Sequence, residues 1–231
     1  RMDEHLGILK TGKESDVHLI ARHGASGTTL LAEKRFRPRD RRGFTNDWTY
    51  TGVWGEGTRR EFRAMRRKTR FGRQAIHAVW VAHEWEELVR LHAAGATVPE
   101  PVEPVDDGYR MAFIGEGIRA APRLVDVDLD RATAERVWNV LLGEVAVFLA
   151  AERVHGDLSA YNVLWWRERP VIIDLSQTVD VVTHPAALDL LRRDVISLAA
   201  YFRRRGVDAD VDRALRDLGA DDVRFARQWR R

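Results

Sequence analysis

From residue 5 to residue 36 apolar and polar positions alternate in short runs broken by turn residues. Val17, Leu19 and Ala21 alternate with polar neighbours, Gly24-Ala25-Ser26-Gly27 reads as a turn, and Leu30-Leu31-Ala32 opens the next run. With "HLGILK" before them, these runs predict three short strands. After Pro38 the period is lost: "RDRRGFTNDWTYTGVWGEG" holds four glycines and reads as a long, mobile loop. A helical period returns in "TRREFRAMRRKTRF", a basic helix with Phe62, Met65 and Thr69 on one face. It continues in "QAIHAVWVAHEWEELVRLHAAG", where Ile76, Trp80, Leu88 and Leu91 share a face and Gly95 is the stop.

The next segment, "ATVPEPVEPVDDGYRMAFI", carries three prolines and predicts an extended connector, then a strand at Arg110–Ile114. The chain changes lobes just after "MAFIGEG". A long helix in "DRATAERVWNVLLGEVAVFLAAERV" starts at Asp130 or Thr133, and a last helical region starts near Pro185. Between them lie a loop, "HGDLSAYN", and an apolar hairpin ending in "PVIID". Strands first and helices later predict an α+β, two-lobed chain, with lobes at 1–114 and 115–231.

The 231 residues are 45% hydrophobic and 32% charged, enough to bury a core. No apolar run reaches membrane-spanning length, and the first residues lack a signal-peptide pattern. Zero cysteines exclude disulfides, thiolate zinc sites and thiol nucleophiles. The expectation is a cytoplasmic protein with no membrane partner. Of 38 basic residues only Lys10, Lys13, Lys34 and Lys68 are lysine, a bias that base composition explains. The charge is uneven: residues 35–73 hold 13 basic and 4 acidic side chains, while the whole chain carries only +3.

Phosphoryl transfer from ATP needs few parts: a turn to cradle phosphates, a lysine held by a carboxylate, an acid to orient the attacking oxygen, and hard oxygen ligands for Mg²⁺. The chain offers them in order as "TGKES", Lys34, Glu84, Asp157, Asn162 and Asp174. Asp157 and Asn162 have the spacing of the kinase loop H-R-D-x-x-x-x-N, with Gly156 in place of Arg. Asp174 stands where kinases have D-F-G, but the triplet is Asp174-Leu175-Ser176. Each element alone fits a plain turn or cap; their joint occurrence favours chemistry. The partner of Lys34 is Glu84, Glu86 or Glu87, and spacing alone does not decide among them. "GILKTGKES" nearly spells a Walker phosphate loop, but Glu14 replaces its hydroxyl residue and a strand follows instead of a helix, so that class is rejected. His155 is read as a backbone buttress. The tryptophans Trp80, Trp85, Trp138, Trp165 and Trp166 are read as packing residues. No histidine pair has metal-ligand spacing and no serine sits in G-x-S-x-G, which leaves metallohydrolase and triad chemistry unsupported.

These motifs resemble those of the RIO family of atypical protein kinases, in its RIO1-like branch. "TGKESDVH" is similar to the family's nucleotide loop, "WVAHEWEELVRL" to its ion-pair helix, and "MAFIGEG" to its hinge. "VHGDLSAYNVLW", "VIIDLSQTVD" and "HPAALDLLRRD" are similar to its catalytic loop, metal loop and the helix that follows. The resemblance runs from about Thr11 to Asp194. It implies a trimmed kinase-like fold, without activation segment or peptide-binding subdomains, that binds ATP and Mg²⁺ or Mn²⁺. On it, Lys34 contacts phosphates, Glu84 pairs with Lys34, Asp157 is the acid/base, and Asn162 and Asp174 hold metal. Met111 is the gatekeeper and the backbone of Ala112 and Ile114 binds adenine. Gly12, Lys13, Glu14 and Ser15 line the triphosphate, with Val17, Ala32, Leu164 and Ile173 about the nucleotide.

The resemblance further implies autophosphorylation or ATPase turnover and a role in small-ribosomal-subunit maturation. The basic block at 35–73 then points to ribosomal RNA or a pre-ribosomal particle as partner; the protein substrate is left open. Two other readings compete: a small-molecule phosphotransferase of the aminoglycoside or choline type, which also uses H-G-D-x-x-x-x-N, and an ATP-gated ribosome-binding factor.

Overall fold

The computed structural model describes residues 2–37 and 70–220, which divide into two compact units: 2–37, 70–89 and 99–121 form the first, 90–98 and 122–220 the second. The predicted loop after Pro38 and nearly all of the basic helix fall outside the described residues, as do the side chains of Ile76 and Trp80.

The first unit is built on a five-stranded antiparallel sheet of β1 (Met2–Thr11), β2 (Ser15–Gly24), β3 (Gly27–Phe36), β4 (Pro101–Val105) and β5 (Gly108–Ala112), in the order β1-β2-β3-β5-β4. β2 and β3 pair without a break from Ser15↔Phe36 to Gly24↔Gly27, so the Gly24–Gly27 turn sets their register. Period-two alternation then places Val17, Leu19, Ala32, Lys34, Tyr109 and Met111 on one face. Helix α1 (Arg70–Ala93) packs Trp85 against Tyr109 of that face, ring centroids 5.9 Å apart, and Gly95, at φ +87°, terminates its last turn.

The other sheet face carries a charge network. Glu33, 1% exposed, accepts Nε–H bonds from Arg35 and from Arg110 (2.5 Å). Arg110 also reaches Asp3 (2.6 Å) and Glu103 (2.8 Å), and Arg22 reaches the same two acids. Burial acts to raise the Glu33 carboxyl, but the two arginines outweigh it and hold the group below its ordinary range.

The connector expected before Arg110–Ile114 is itself a strand. β4 lies at the sheet edge, where Pro101 and Pro104 cost no interior ladder bond, and it returns through Asp106-Asp107 into β5, which begins at Gly108 and ends at Ala112. Gly108 is required at that crossing: a Cβ there would lie 1.8 Å from the Lys34 carbonyl oxygen. A short hairpin, β6 (Gly115–Glu116) and β7 (Arg119–Ala120), ends the unit.

The second unit centres on α2 (Arg131–Ala150) and α3 (Ala187–Arg203). Asp130 caps α2 by accepting from Thr133 N–H at 2.7 Å. Ala134, Val137, Trp138, Leu141, Val145 and Phe148 form its buried stripe, and Trp138 meets Phe202 of α3 at 5.7 Å. A last helix, α4 (Val211–Asp217), is capped by Asp210 and packs on α3. Among the described residues no helix is long and apolar enough to cross a membrane.

Two small hairpins complete this unit. β8 (Arg153–Val154) pairs with β11 (Val179–Asp180), and β9 (Val163–Trp166) pairs with β10 (Arg169–Ile172). The "HGDLSAYN" loop runs from β8 to β9 and the Asp174 turn runs from β10 to β11. Both segments are therefore tied at each end by a paired strand. This double frame is what positions the polar residues described next.

Candidate active site

In the first unit Lys34 and Glu84 form a buried ion pair. Nζ lies 2.5 Å from Oε1, and the residues are 6% and 0% exposed. Of the three candidate glutamates, Glu86 is exposed and Glu87 is buried, and it is Glu84 that α1 presents to Lys34. Val17 stands directly across from Lys34, and Ala32 lies between Leu19 and Met111, so Val17, Ala32, Lys34 and Met111 form one contiguous patch of the sheet face. At one end of this patch the β1–β2 turn closes with Gly12 N–H donating to Ser15 C=O at 2.9 Å. A Cβ on Gly12 would sit 2.9 Å from that same oxygen, so the tight turn needs glycine. The turn is braced by Arg37, whose N–H donates to Glu14 C=O (2.8 Å) and whose guanidinium grips Asp16 at 2.6 and 2.8 Å. Lys13 is exposed beside it. At the other end Ala112 spends its N–H on Glu100 C=O (2.8 Å) and Ile114 spends its C=O on Ala121 N–H (2.9 Å).

In the second unit the side-chain nitrogen of Asn162 donates to the Asp157 carbonyl oxygen (2.8 Å) and to Asp157 Oδ2 (3.2 Å). A carbonyl can only accept, which fixes the amide's orientation and leaves its oxygen as the end not engaged by Asp157. Asp157 itself is exposed. Ile173 N–H donates to Asn162 C=O at 2.9 Å, extending the β9–β10 register by one pair, so Asn162 and Asp174 stand at the same open end of one hairpin. Leu164 and Ile173, both half-buried, belong to that hairpin and its exit. Asp174 has φ +66°, a left-handed backbone that costs an aspartate less than most residues but is not relaxed. One of its carboxylate oxygens accepts the Ser176 hydroxyl at 3.1 Å.

The loop is held by His155, as the motif suggested, and by two residues of α3 that the motif did not reveal. Asp194 of α3, 2% exposed, accepts Gly156 N–H and Leu158 N–H, each at 2.8 Å, on its two oxygens, so it grips the backbone on both sides of Asp157. Burial pushes its carboxyl up to about 6, against the opposing pull of His155 and the two N–H bonds. Arg193 donates to the Gly156 carbonyl. His155 behaves as a buttress: Asp157 N–H donates to its Nδ1 (3.2 Å), and its Nε2–H donates to Ile173 C=O (3.2 Å), bridging the two framed segments. Gly156 has φ +79°, and a Cβ there would meet the Gln177 carbonyl oxygen at 2.4 Å. That approach explains why this chain has glycine where many kinases have arginine. A signal for Asp194 was present in the sequence, since it interrupts the apolar stripe of Leu190, Leu191, Val195 and Leu198 with a charge.

An amide oxygen and a carboxylate at one hairpin end are hard donors, a set that fits a small divalent cation and not a thiophilic one. Among the described residues no group of three or more His, Cys, Asp or Glu side chains is placed to hold a metal.

Sequence comparison matches residues 52–214 to the RIO domain. The chain belongs to the RIO domain family. Its relatives include the RIO-type serine/threonine-protein kinase Rio1 of Thermoplasma acidophilum, 34% identical over 63% of this chain and 75% of that protein. The Rio1 of Methanocaldococcus jannaschii is 33% identical over 90% of this chain and 66% of its own length. The serine/threonine-protein kinase RIO1 of Chaetomium thermophilum is 30% identical over 93% of this chain, which spans only 42% of that longer protein. Among solved structures, the kinase PK-1 of the Cydia pomonella granulovirus superposes with a TM-score of 0.55 over 88% of this chain and 67% of its own, at 13% identity. The α+β, kinase-like fold is thus shared beyond recognisable sequence. A RIO domain implies ATP and a divalent metal as its reagents, and the oxygen donors of Asn162 and Asp174 suit such a metal.

Proposed function

We propose that this RIO domain is an ATP-dependent, atypical serine/threonine kinase or ATPase. The observation that carries the reading is the Asp157–Asn162 pair: the amide nitrogen is committed to Asp157, and its oxygen is left at the hairpin end that Asp174 shares. On this reading Lys34, held by Glu84, neutralises α- and β-phosphate oxygens, and the Gly12–Ser15 turn covers the triphosphate. Met111, Ala112 and Ile114 border the base, with Val17, Ala32, Leu164 and Ile173 about it. Asp157 orients the acceptor oxygen and takes its proton as the γ-phosphoryl group leaves ADP. Asn162 and Asp174 hold Mg²⁺ or Mn²⁺, which when bound neutralises charge developing between the β- and γ-phosphates. Asp194, Arg193 and His155 keep the loop carrying Asp157 in place.

The names of the relatives favour a protein kinase over a small-molecule phosphotransferase. A cytoplasmic role in small-subunit maturation, with ribosomal RNA bound by residues 35–73, belongs to this proposal as the setting in which the activity operates. The deciding experiment is incubation with γ-labelled ATP and Mg²⁺ or Mn²⁺, comparing wild type with Asp157→Ala and Asp174→Ala. Wild type should release labelled phosphate or label itself, and both variants should lose at least 100-fold. Equal turnover in Asp157→Ala would sink the assignment of that residue, and no turnover in wild type would sink the enzyme reading.

A further inference from the structure

The turn after β10 holds Asp174 in a left-handed backbone, and a residue so placed needs restraint from its surroundings. Its restraints include the two that follow. Leu175, 2% exposed, anchors the turn in the core while its carbonyl accepts Thr178 N–H at 3.1 Å. Ser176, 9% exposed, turns its hydroxyl back to donate to Asp174 Oδ1 at 3.1 Å. The first restraint fixes the backbone. The second fixes the side chain, because a hydrogen bond to one carboxylate oxygen selects the rotamer and the plane in which the other oxygen lies.

We infer that Ser176 is a positioning residue that presets the Asp174 carboxylate for the divalent cation. The inference rests on the proposed cation role of Asp174 and deepens it. A glycine at this point, as in the D-F-G triplet, would supply neither the hydroxyl nor a stiff backbone. The serine therefore exchanges freedom to reorient for a carboxylate already in place. Groups that orient a metal ligand typically contribute 10–100-fold to metal affinity.

The test follows binding of a fluorescent, non-hydrolysable ATP analogue to the whole chain while Mg²⁺ or Mn²⁺ is titrated, with circular dichroism to confirm folding. Ser176→Ala and Ser176→Gly should each raise the half-saturating cation concentration about tenfold. They should leave analogue binding without cation unchanged, and Ser176→Thr should restore the wild-type curve. Asp174→Asn serves as the reference for the site. If Asp174→Asn shifts the cation curve while both Ser176 variants follow wild type, the inference fails and the cation role of Asp174 stands. If Asp174→Asn leaves the curve unmoved, the cation role fails and the inference with it. A Ser176 defect equally large without cation would mark the hydroxyl as a general structural group and overturn its assigned role.

Discussion

Lys34 and Glu84, fifty residues apart in sequence, meet at 2.5 Å with Glu84 wholly buried. A buried pair of this kind gives little net stability when intact, because desolvation offsets attraction, but removing one partner strands the other's charge. Lys34→Met should destabilise the chain by about 3 kcal/mol. Glu84→Gln, which still offers an acceptor, should cost less. Denaturant titration separates the two. Equal losses would mean that the carboxylate charge is not what matters.

The Glu33–Arg110 contact lies on the opposite sheet face and obeys the same logic. Arg110→Met leaves Glu33 buried with Arg35 as its remaining partner. The loss should lie toward the lower end of the ~3–5 kcal/mol expected for a broken buried pair. The double replacement with Glu33→Met should recover most of it. Because Glu33 is held below its ordinary range, its contribution is present at neutral pH and is lost only as pH falls beneath the ordinary carboxylate range, through the lowered folded value.

Gly156→Ala tests the close approach of the two framed segments. The left-handed backbone alone costs a residue with a Cβ about 1–2 kcal/mol, and the 2.4 Å overlap with the Gln177 carbonyl adds to that. The variant should show a lower denaturation midpoint and lose turnover, and Gly156→Arg should be at least as poor. Wild-type behaviour of Gly156→Arg would show that the loop can shift away from Gln177.

Asp194 predicts opposite pH trends for stability and for turnover. Its folded pKa, about 6, stands above the ordinary value of 3.8, so the fold favours the protonated acid. Its stabilising contribution is complete below pH 4 and is lost as pH rises through about 6; a two-unit shift corresponds to about 3 kcal/mol at most. The stability of wild type minus that of Asp194→Asn should therefore grow as pH is lowered from 7 to 4. Turnover should run the other way, because only the carboxylate accepts fully from both Gly156 and Leu158. A wild-type activity limb near pH 6 that disappears in Asp194→Asn is the expected signature; an unchanged limb would detach Asp194 from loop geometry.

Much of this arrangement is legible in the residues alone. Alternation marked β1 to β3, Asp130 and Gly95 marked helix ends, and the run from Asp157 through Asn162 to Asp174 marked the polar cluster, because those features depend on local spacing. β4 was hidden by its prolines, which argue against a strand unless it is known to lie at an edge, and edge position is a property of the sheet. Asp194, Glu33 and Gln177 act through groups 21 to 77 residues away. An acid inside an apolar stripe announces that a partner exists but not which one, so the bracing of the loop could be read only from the assembled backbone.

The twelve-residue interval between Asn162 and Asp174 is a consequence of hairpin length and not a requirement of the chemistry. What the two residues share is the open end of the β9–β10 ladder, whose closed end is the Arg167-Glu168 turn, both residues with positive φ. Lengthening the hairpin by one whole cross-strand pair on each side of that turn would leave the open end as it is, whereas one extra residue in a single strand would shift the pairing. The turn is accordingly the place to splice in a foreign peptide or a reporter, and spacing across this hairpin is a poor criterion for finding distant homologues.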